Sequence, residues 1–115
     1  MATEEELNDC LAAAHTGGGA KLISEQTLLE LYYFAAARGL MLVGVEPYEI
    51  RGEREIAYAH LTFTPSEIYE SYADLSWADC IVAVKRDIDE MLKETHRNGG
   101  VFRFTAWVSA EQDRM

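Results

Sequence analysis

The sequence is poor in the residues that mark several classes of protein. It has only two cysteines in 115 residues, Cys10 and Cys80, without the spacing of a metal or redox motif. We therefore expect two reduced thiols and no disulfide. The three histidines show no metal-ligand spacing either, so no metal or other cofactor is expected. No apolar run approaches the roughly 20 residues of a membrane helix, and no contact with a membrane is expected.

Positive charge is also scarce. Ten basic residues face 20 acidic ones, which gives a net charge of −10. Binding to the phosphate backbone requires a concentrated basic patch, so the composition argues against a nucleic-acid partner. It is compatible with a basic protein partner. The N-terminal stretch MATEEELND is acidic where a signal peptide would be basic, and we therefore expect a cytoplasmic protein.

Glycine is concentrated in one short stretch, Gly17-Gly18-Gly19, which is followed by Lys21. A phosphate-binding loop would need a strand before the glycines, a wider glycine spacing and a Lys-Ser or Lys-Thr pair. All three are missing here. The stretch is therefore interpreted as a linker that ends the first helix.

Four helices are indicated by capping signals and by apolar periodicity. The capping signals are, in chain order, Thr3-Glu4-Glu5-Glu6, Ser24, Thr64-Pro65-Ser66-Glu67 and Ser76. The first helix should end near Ala14, the second before Gly39, and the last should cover residues 77–97. Along this last helix the apolar stripe predicted to face the core is Trp77, Ile81, Val84, Ile88, Met91 and Thr95.

The stretch from Leu40 to Thr64 predicts a β-hairpin around the polar turn Arg51-Gly52-Glu53-Arg54. An odd loop of three or five residues is preferred because it collects the apolar residues of both strands on one face. That face would contain Met41, Val43, Val45, Ala59, Leu61 and Phe63. In the five-residue form Ile50 opposes Ile56, Tyr48 opposes Tyr58, and Glu46 opposes His60. A third strand is predicted over Val101 to Ser109, with Phe102, Phe104, Ala106 and Val108 facing the core.

These elements predict a single α+β domain over residues 1–115, in the order α-α-β-β-α-α-β. The sheet should have three mainly antiparallel strands, with the helices packed on one face. The preferred strand order is second-first-third. The alternative places the third strand parallel to the second through a right-handed crossover.

The sheet face opposite the helices is the candidate functional surface. The residues assigned to it as tentative ligand or interface residues are Glu46, Tyr48, Ile50, Ile56, Tyr58, His60, Arg103 and Trp107. Such a mixture of aromatic, aliphatic and polar side chains is typical of protein interfaces. The leading hypothesis is therefore a small, acidic, non-enzymatic interaction domain that forms a homodimer through this face, to which parity also assigns Leu42. The alternative interpretation is that a helix of the same chain folds over this face and covers it.

Two alternatives use the same region. The first is a small-molecule-binding protein or small enzyme with a pocket around Tyr48, Tyr58, His60, Glu46 and Trp107. In that pocket Glu46 would orient His60 as a general base. No catalytic residue is assigned, because no nucleophile or oxyanion site is identifiable.

The second alternative is an acidic inhibitor that imitates nucleic acid. Its acidic clusters would be Glu46, Glu49, Glu53 and Glu55, and Glu67, Glu70 and Asp74. A solvated acidic surface explains the same residues.

Overall fold

The computed structural model describes residues 1–64 and 70–113. Within these residues the fold is α+β, with three α-helices and a curled sheet of four antiparallel strands. The helices are α1 (Glu4–Ala14), α2 (Glu25–Ala36) and α3 (Trp77–Asn98). The strands are β1 (Ala20–Ile23), β2 (Leu40–Arg51), β3 (Arg54–Ala57) and β4 (Val101–Ala110). The short helix predicted to begin at Pro65 has its first residues, 65–69, outside the described part of the chain.

The helices begin at the predicted caps. At α1 the Thr3 hydroxyl accepts from the amide of Glu6 at 3.1 Å, and the Glu6 carboxylate accepts from the Thr3 amide at 3.5 Å. This is the predicted capping box. Ser24 and Ser76 cap α2 and α3 in the same way, each accepting from a backbone amide in the first helical turn. The three predicted caps are therefore confirmed. Each cap joins residues three positions apart, so its signal is local in the sequence.

The core lies between the helices and one face of the sheet. The whole predicted stripe of α3 is buried: Trp77, Ile81, Val84, Ile88, Met91 and Thr95. It joins buried residues of α2 such as Leu28 and Leu31, and sheet residues such as Phe104, in a single apolar cluster. No helix in the described ranges is long and apolar enough to cross a membrane.

The strand order is β1-β4-β2-β3. The three predicted strands correspond to β2, β3 and β4, so the predicted order second-first-third is confirmed. The fourth strand, β1, was not predicted. It is only four residues long, and its pairing with β4 is irregular between Ala20 and Ile23, because Leu22 has a φ of 53°. A strand this short and irregular has no alternating pattern to reveal it.

The predicted odd hairpin loop is wrong. The turn has two residues, Gly52 and Glu53, since Arg51 pairs with Arg54 and Tyr48 pairs with Ala57. Gly52 has a φ of 62° and occupies the first central position, as in a type II′ turn. None of the three predicted cross-strand pairs forms.

The second strand of the hairpin is also shorter than predicted. It ends at Ala57, and a 3-10 helix follows over Ala59–Leu61. Only Phe63 then returns to the sheet, in an antiparallel bridge with Val45.

A bulge at Val43, between Leu42 and Gly44 in the pairing with β4, shifts the alternation of β2. The face of the sheet that joins the core, called the inner face, carries Leu42, Val45, Pro47, Glu49, Phe102, Phe104, Ala106 and Val108. The opposite, outer face carries Glu46, Tyr48, Ile50, Arg103, Thr105 and Trp107. Leu42, which parity had assigned to the outer face, is 1% exposed and belongs to the core.

Candidate functional site

The structure divides the predicted pocket residues between two sides of the sheet. Glu46, Tyr48 and Trp107 line one cavity on the outer face. Tyr58 and His60 line a different cavity, beside α3. The predicted pocket that combined all five residues is therefore not formed, because the two-residue turn and the 3-10 helix place Tyr58 and His60 on the helix side.

The cavity on the outer face, called the outer cleft, has a volume of about 320 Å³. It lies across the middle of the sheet, and residues from all four strands and from the glycine loop contribute to it. Its lining consists of Gly18, Lys21, Leu22, Glu46, Tyr48, Glu55, Thr105 and Trp107. Pockets of this size are at the lower end of those that hold small ligands.

The floor of the outer cleft is built by paired residues of β2 and β4. Glu46 lies opposite Thr105 in the register of the two strands. The Tyr48 hydroxyl donates a hydrogen bond to the Glu46 carboxylate, two residues away on the same face of β2. The two side chains meet because residues two positions apart in a strand point to the same face. The hydrogen bond then fixes the orientation of the Glu46 carboxylate.

One wall of the outer cleft is the glycine loop, residues 17–19, which packs on Trp107. The indole N–H of Trp107 donates to the carbonyl of Gly17 at 3.0 Å. A Cβ atom on Gly19 would lie 2.8 Å from both the carbonyl oxygen of Ala106 and the Trp107 ring. The glycines therefore form an ordered contact with the tryptophan, and the earlier interpretation as a plain linker is incomplete.

Lys21 and Leu22 continue this wall from the edge strand β1. The backbone N–H of Leu22 donates to the Thr105 hydroxyl at 3.3 Å, which attaches the irregular part of β1 to the floor of the cleft. Leucine rarely adopts the positive φ that Leu22 has here. Lys21 is exposed, and the Cε of its side chain passes 3.3 Å from the position that a Cβ on Gly18 would take.

A second, smaller concavity adjoins the outer cleft. It has a volume of about 200 Å³ and is lined by Glu46, Thr62, Phe63, Thr64 and Trp107. We call it the side cavity. Glu46 and Trp107 line both spaces, so the two cavities are neighbours.

The helix side of the sheet holds a buried carboxylate, Glu49, which is 6% exposed. Arg51 donates to both of its oxygens, at 3.0 and 2.9 Å, and the Tyr58 hydroxyl donates at 2.5 Å. The hydrogen bonds from Arg51 and then from Tyr58 hold the pKa of Glu49 below its ordinary value. In turn, the hydrogen bond to Glu49 raises the pKa of Tyr58. Glu49 and Arg51 therefore form a structural ion pair, and the Tyr58 hydroxyl donates an additional hydrogen bond to it.

The Tyr58 ring is fixed by two further contacts. It meets Phe102 edge-on, with ring centroids 5.0 Å apart, and it lies 5.5 Å from the His60 ring at a tilt of 34°. His60 is exposed and lines a cavity of about 270 Å³ with Glu94, Arg97 and Asn98 of α3. Glu46 lies on the other face, so the proposed orientation of His60 by Glu46 is wrong.

The remaining predicted site residues are also divided. Ile56 pairs with Glu49 and belongs to the inner face, whereas Ile50 and Arg103 are on the outer face. The Arg103 guanidinium donates to the carbonyl of Phe102 at 3.1 Å.

The first predicted acidic cluster is dispersed as well. Glu46 and Glu55 line the outer cleft, whereas Glu49 is buried on the inner face against Arg51. In the second cluster Glu67 lies outside the described residues. A continuous acidic row resembling a phosphate backbone is therefore not formed by the first cluster.

The sequence did not assign Lys21, Leu22 or Thr105 to the pocket, and it placed Glu55 only in the first acidic cluster. The signal for Lys21 was present in its position two residues after the glycines, but nothing local showed that the loop contacts Trp107. Cys10 and Cys80 are both free thiols, as expected. Among the described residues, no three His, Cys, Asp or Glu side chains are grouped to hold a metal ion.

Comparisons with known proteins give no match: no protein-family model, no curated protein and no solved structure is found to be similar to this chain. The function therefore has to be inferred from the geometry of the site.

Proposed function

We propose that this domain is a binding module that holds a small ligand in the outer cleft. The observation that carries the proposal is the attachment of the glycine loop to Trp107. This contact holds Gly18, Lys21 and Leu22 as a wall over a floor of Glu46, Tyr48 and Thr105. A concave site with aromatic side chains and a few oriented polar groups is the usual form of a small-molecule site.

The backbone of Leu22 supports the same proposal. A positive φ costs a residue with a side chain about 1–2 kcal/mol, and such conformations are concentrated at functional sites. Here the conformation aims the Leu22 amide at Thr105 and leaves the Leu22 side chain in the cavity lining.

The hydrogen bonds of the two hydroxyl groups in the cleft favour a binding function over a catalytic one. Tyr48 donates to Glu46, and Thr105 accepts from Leu22, so both hydroxyls already hold other groups in position. The Thr105 hydroxyl meets a backbone amide and not a base that could remove its proton, as an activated nucleophile would require. The cleft therefore resembles a recognition site in which side chains are fixed before a ligand arrives.

The experiment is an NMR titration of the isotope-labelled protein with a fragment set of carboxylic acids, amines, amino acids and neutral aromatic compounds. The two tryptophans provide an internal control, because the Trp77 indole is buried and donates to the carbonyl of Gly39 at 2.8 Å. A fragment in the outer cleft should shift the indole resonance of Trp107 and the amides of Gly18 and Thr105. The Trp77 indole should not move. If no fragment shifts this set, the proposal is wrong.

A second candidate function is self-association through the same outer face, which would make the protein a homodimer. It is favoured by the cross-strand pair of Ile50 and Val101, since Val101 is 54% exposed beside the half-buried Ile50. The apolar patch available to it is smaller than the sequence indicated, because Leu42, Ile56 and Tyr58 are not on this face. A basic protein partner and a cytoplasmic location stay predictions.

A further inference from the structure

Charged groups of opposite sign meet in the outer cleft without neutralising each other. The basic residue Lys21 and the acidic residues Glu46 and Glu55 all line it. In the part of the chain that the structure describes, neither Lys21 nor Glu55 forms an ion pair, although other exposed charges of the protein do. The Glu46 carboxylate accepts from Tyr48.

The order of the strands separates these charges. Leu22 of β1 is bonded to Thr105 of β4, and Thr105 is opposite Glu46 of β2, so the lysine and the glutamate flank β4 from opposite sides. Neighbouring strands are about 5 Å apart, which puts the two backbones about 10 Å from each other. Both residues line the same cavity, whose volume of about 320 Å³ is available to a ligand.

Resting on the proposed function, we infer that the ligand of the outer cleft is a free α-amino acid with an apolar side chain. Its carboxylate binds Lys21, and its ammonium group binds Glu46, with Glu55 adding to the negative potential. A ligand with only one charge would satisfy one side and be repelled by the other. A ligand with both charges satisfies each group and remains small enough for the cavity.

The apolar side chain of the amino acid has a place in the structure. The side cavity of about 200 Å³ begins at Glu46 and Trp107, next to the site assigned to the ammonium group. From there the side chain extends along the indole of Trp107 towards Phe63. Tryptophan supplies a large apolar contact, and its position is already fixed by the bond to Gly17.

The glycine loop borders the Lys21 side chain. The stem of Lys21 passes close to Gly18, where a Cβ would lie 3.3 Å from its Cε. Gly18→Ala should therefore shift the Lys21 side chain by a few tenths of an ångström and weaken amino-acid binding slightly.

The test compares L-phenylalanine with two analogues that each lack one charge, phenethylamine and 3-phenylpropionate. Binding is followed by the Trp107 indole resonance at concentrations up to about 10 mM, which detects dissociation constants in the millimolar range. L-Phenylalanine should bind about tenfold or more tightly than either analogue, as expected for the loss of one charged hydrogen-bond partner. L-Leucine should bind as well, because its side chain would contact the apolar rings of Trp107 and Phe63 in the side cavity.

Two variants assign the charges. Lys21→Met should weaken the binding of L-phenylalanine about tenfold but leave phenethylamine bound equally well or better. Glu46→Gln should also weaken the binding of L-phenylalanine about tenfold but leave 3-phenylpropionate bound equally well or better. Lys93→Met and Glu53→Gln are the matched controls, since both residues are exposed and outside the cleft. Circular dichroism checks that each variant is folded.

The outcomes separate the inference from the proposed function. If fragments shift the cleft resonances but both amino acids do not, or if phenethylamine binds as tightly as L-phenylalanine, the amino-acid inference is wrong and the binding site remains. If no fragment and no amino acid shifts these resonances, both are wrong. The comparison of the three phenyl compounds uses the unmodified protein, so it stands even if a variant fails to fold.

Discussion

The indole N–H of Trp107 donates a hydrogen bond to the backbone carbonyl of Gly17, 3.0 Å away and 90 positions earlier in the chain. This bond joins the loop after α1 to the outer face of β4. It brings Lys21, which neither the apolar pattern nor any motif connects with the sheet, to the same cavity as Glu46 and Tyr48. The candidate site therefore depends on a long-range contact of a glycine backbone.

Replacing Gly19 with alanine should release this loop. The new Cβ would be 2.8 Å from the Trp107 ring and from the carbonyl of Ala106, and the residue has a φ of 71°. We expect a loss of about 2–4 kcal/mol in the free energy of unfolding, from the clash and the positive φ together. Urea denaturation measures it.

Gly17→Ala is the matched control for Gly19→Ala. A Cβ at Gly17 has no neighbour within 4 Å. The free energy of unfolding should change by less than about 0.5 kcal/mol. Equal effects of the two substitutions would show that the loop is not held against Trp107.

Replacing Glu49 with glutamine should produce a pH-dependent loss of stability. Hydrogen bonds from Arg51 and Tyr58 lower the pKa of Glu49 in the folded protein below its ordinary 4.5. A lowered folded pKa stabilises the protein above the unfolded pKa, and this contribution is lost as the pH falls through the folded value. The melting temperatures of the unmodified protein and Glu49→Gln should thus differ at neutral pH and approach each other in acid.

The control for the Glu49 prediction is Glu53→Gln. Glu53 is exposed in the hairpin turn, and within the described residues no ion pair involves it. Its melting curves should follow those of the unmodified protein at every pH. If the Glu49→Gln difference is the same at neutral and acidic pH, the ion pair does not stabilise the fold in the way described.

Replacing Ile88 with alanine should test the core predicted from the α3 stripe. Ile88 is fully buried, at 0% exposure, so the change leaves a cavity between α3 and the sheet. The expected loss is about 2–5 kcal/mol in the free energy of unfolding. Val82, on the same helix and 70% exposed, gives the control substitution Val82→Ala, which should change it by less than about 1 kcal/mol. Similar values for both would contradict the assigned core.

The three described helices and the alternation of β4 could be read from the sequence, because their signals are local. Thr3, Ser24 and Ser76 cap helices through amides three positions away. The stripe of α3 repeats over six positions, and this regular spacing identifies the buried face of the helix. The β4 alternation likewise assigned Phe104 to the core and Trp107 to the outer face correctly.

The hairpin register could not be read in the same way, because two local signals disagreed. Apolar parity favoured an odd loop, whereas Gly52 favours a two-residue turn with a positive φ at its first position. The turn chemistry determined the register, and the bulge at Val43 then restored an apolar inner face by moving Leu42 into the core. A bulge leaves no mark in a sequence of alternating apolar residues, so parity assigned Leu42 to the wrong face. Ile56 and Tyr58 were assigned to the wrong face because the two-residue turn shifts their strand by one position relative to the predicted loop.

The last prediction concerns self-association and uses two valines on opposite sides of the molecule. A dimer formed through the outer face would bury Val101 and its cross-strand neighbour Ile50. Val101→Glu should then place a charge in the interface and convert the dimer to a monomer, as measured by light scattering at high micromolar concentration. Val82→Glu introduces the same charge at an exposed position of α3 and should leave the dimer intact.

Each result of this experiment has a distinct meaning. Dissociation by Val82→Glu alone would assign the interface to the helices and show that the homodimer prediction for the outer face is wrong. An unmodified protein that is already monomeric would also contradict it. In a monomer no second copy of the protein covers the outer cleft. A ligand held by Lys21, Glu46 and Trp107 would then reach its site directly from solvent.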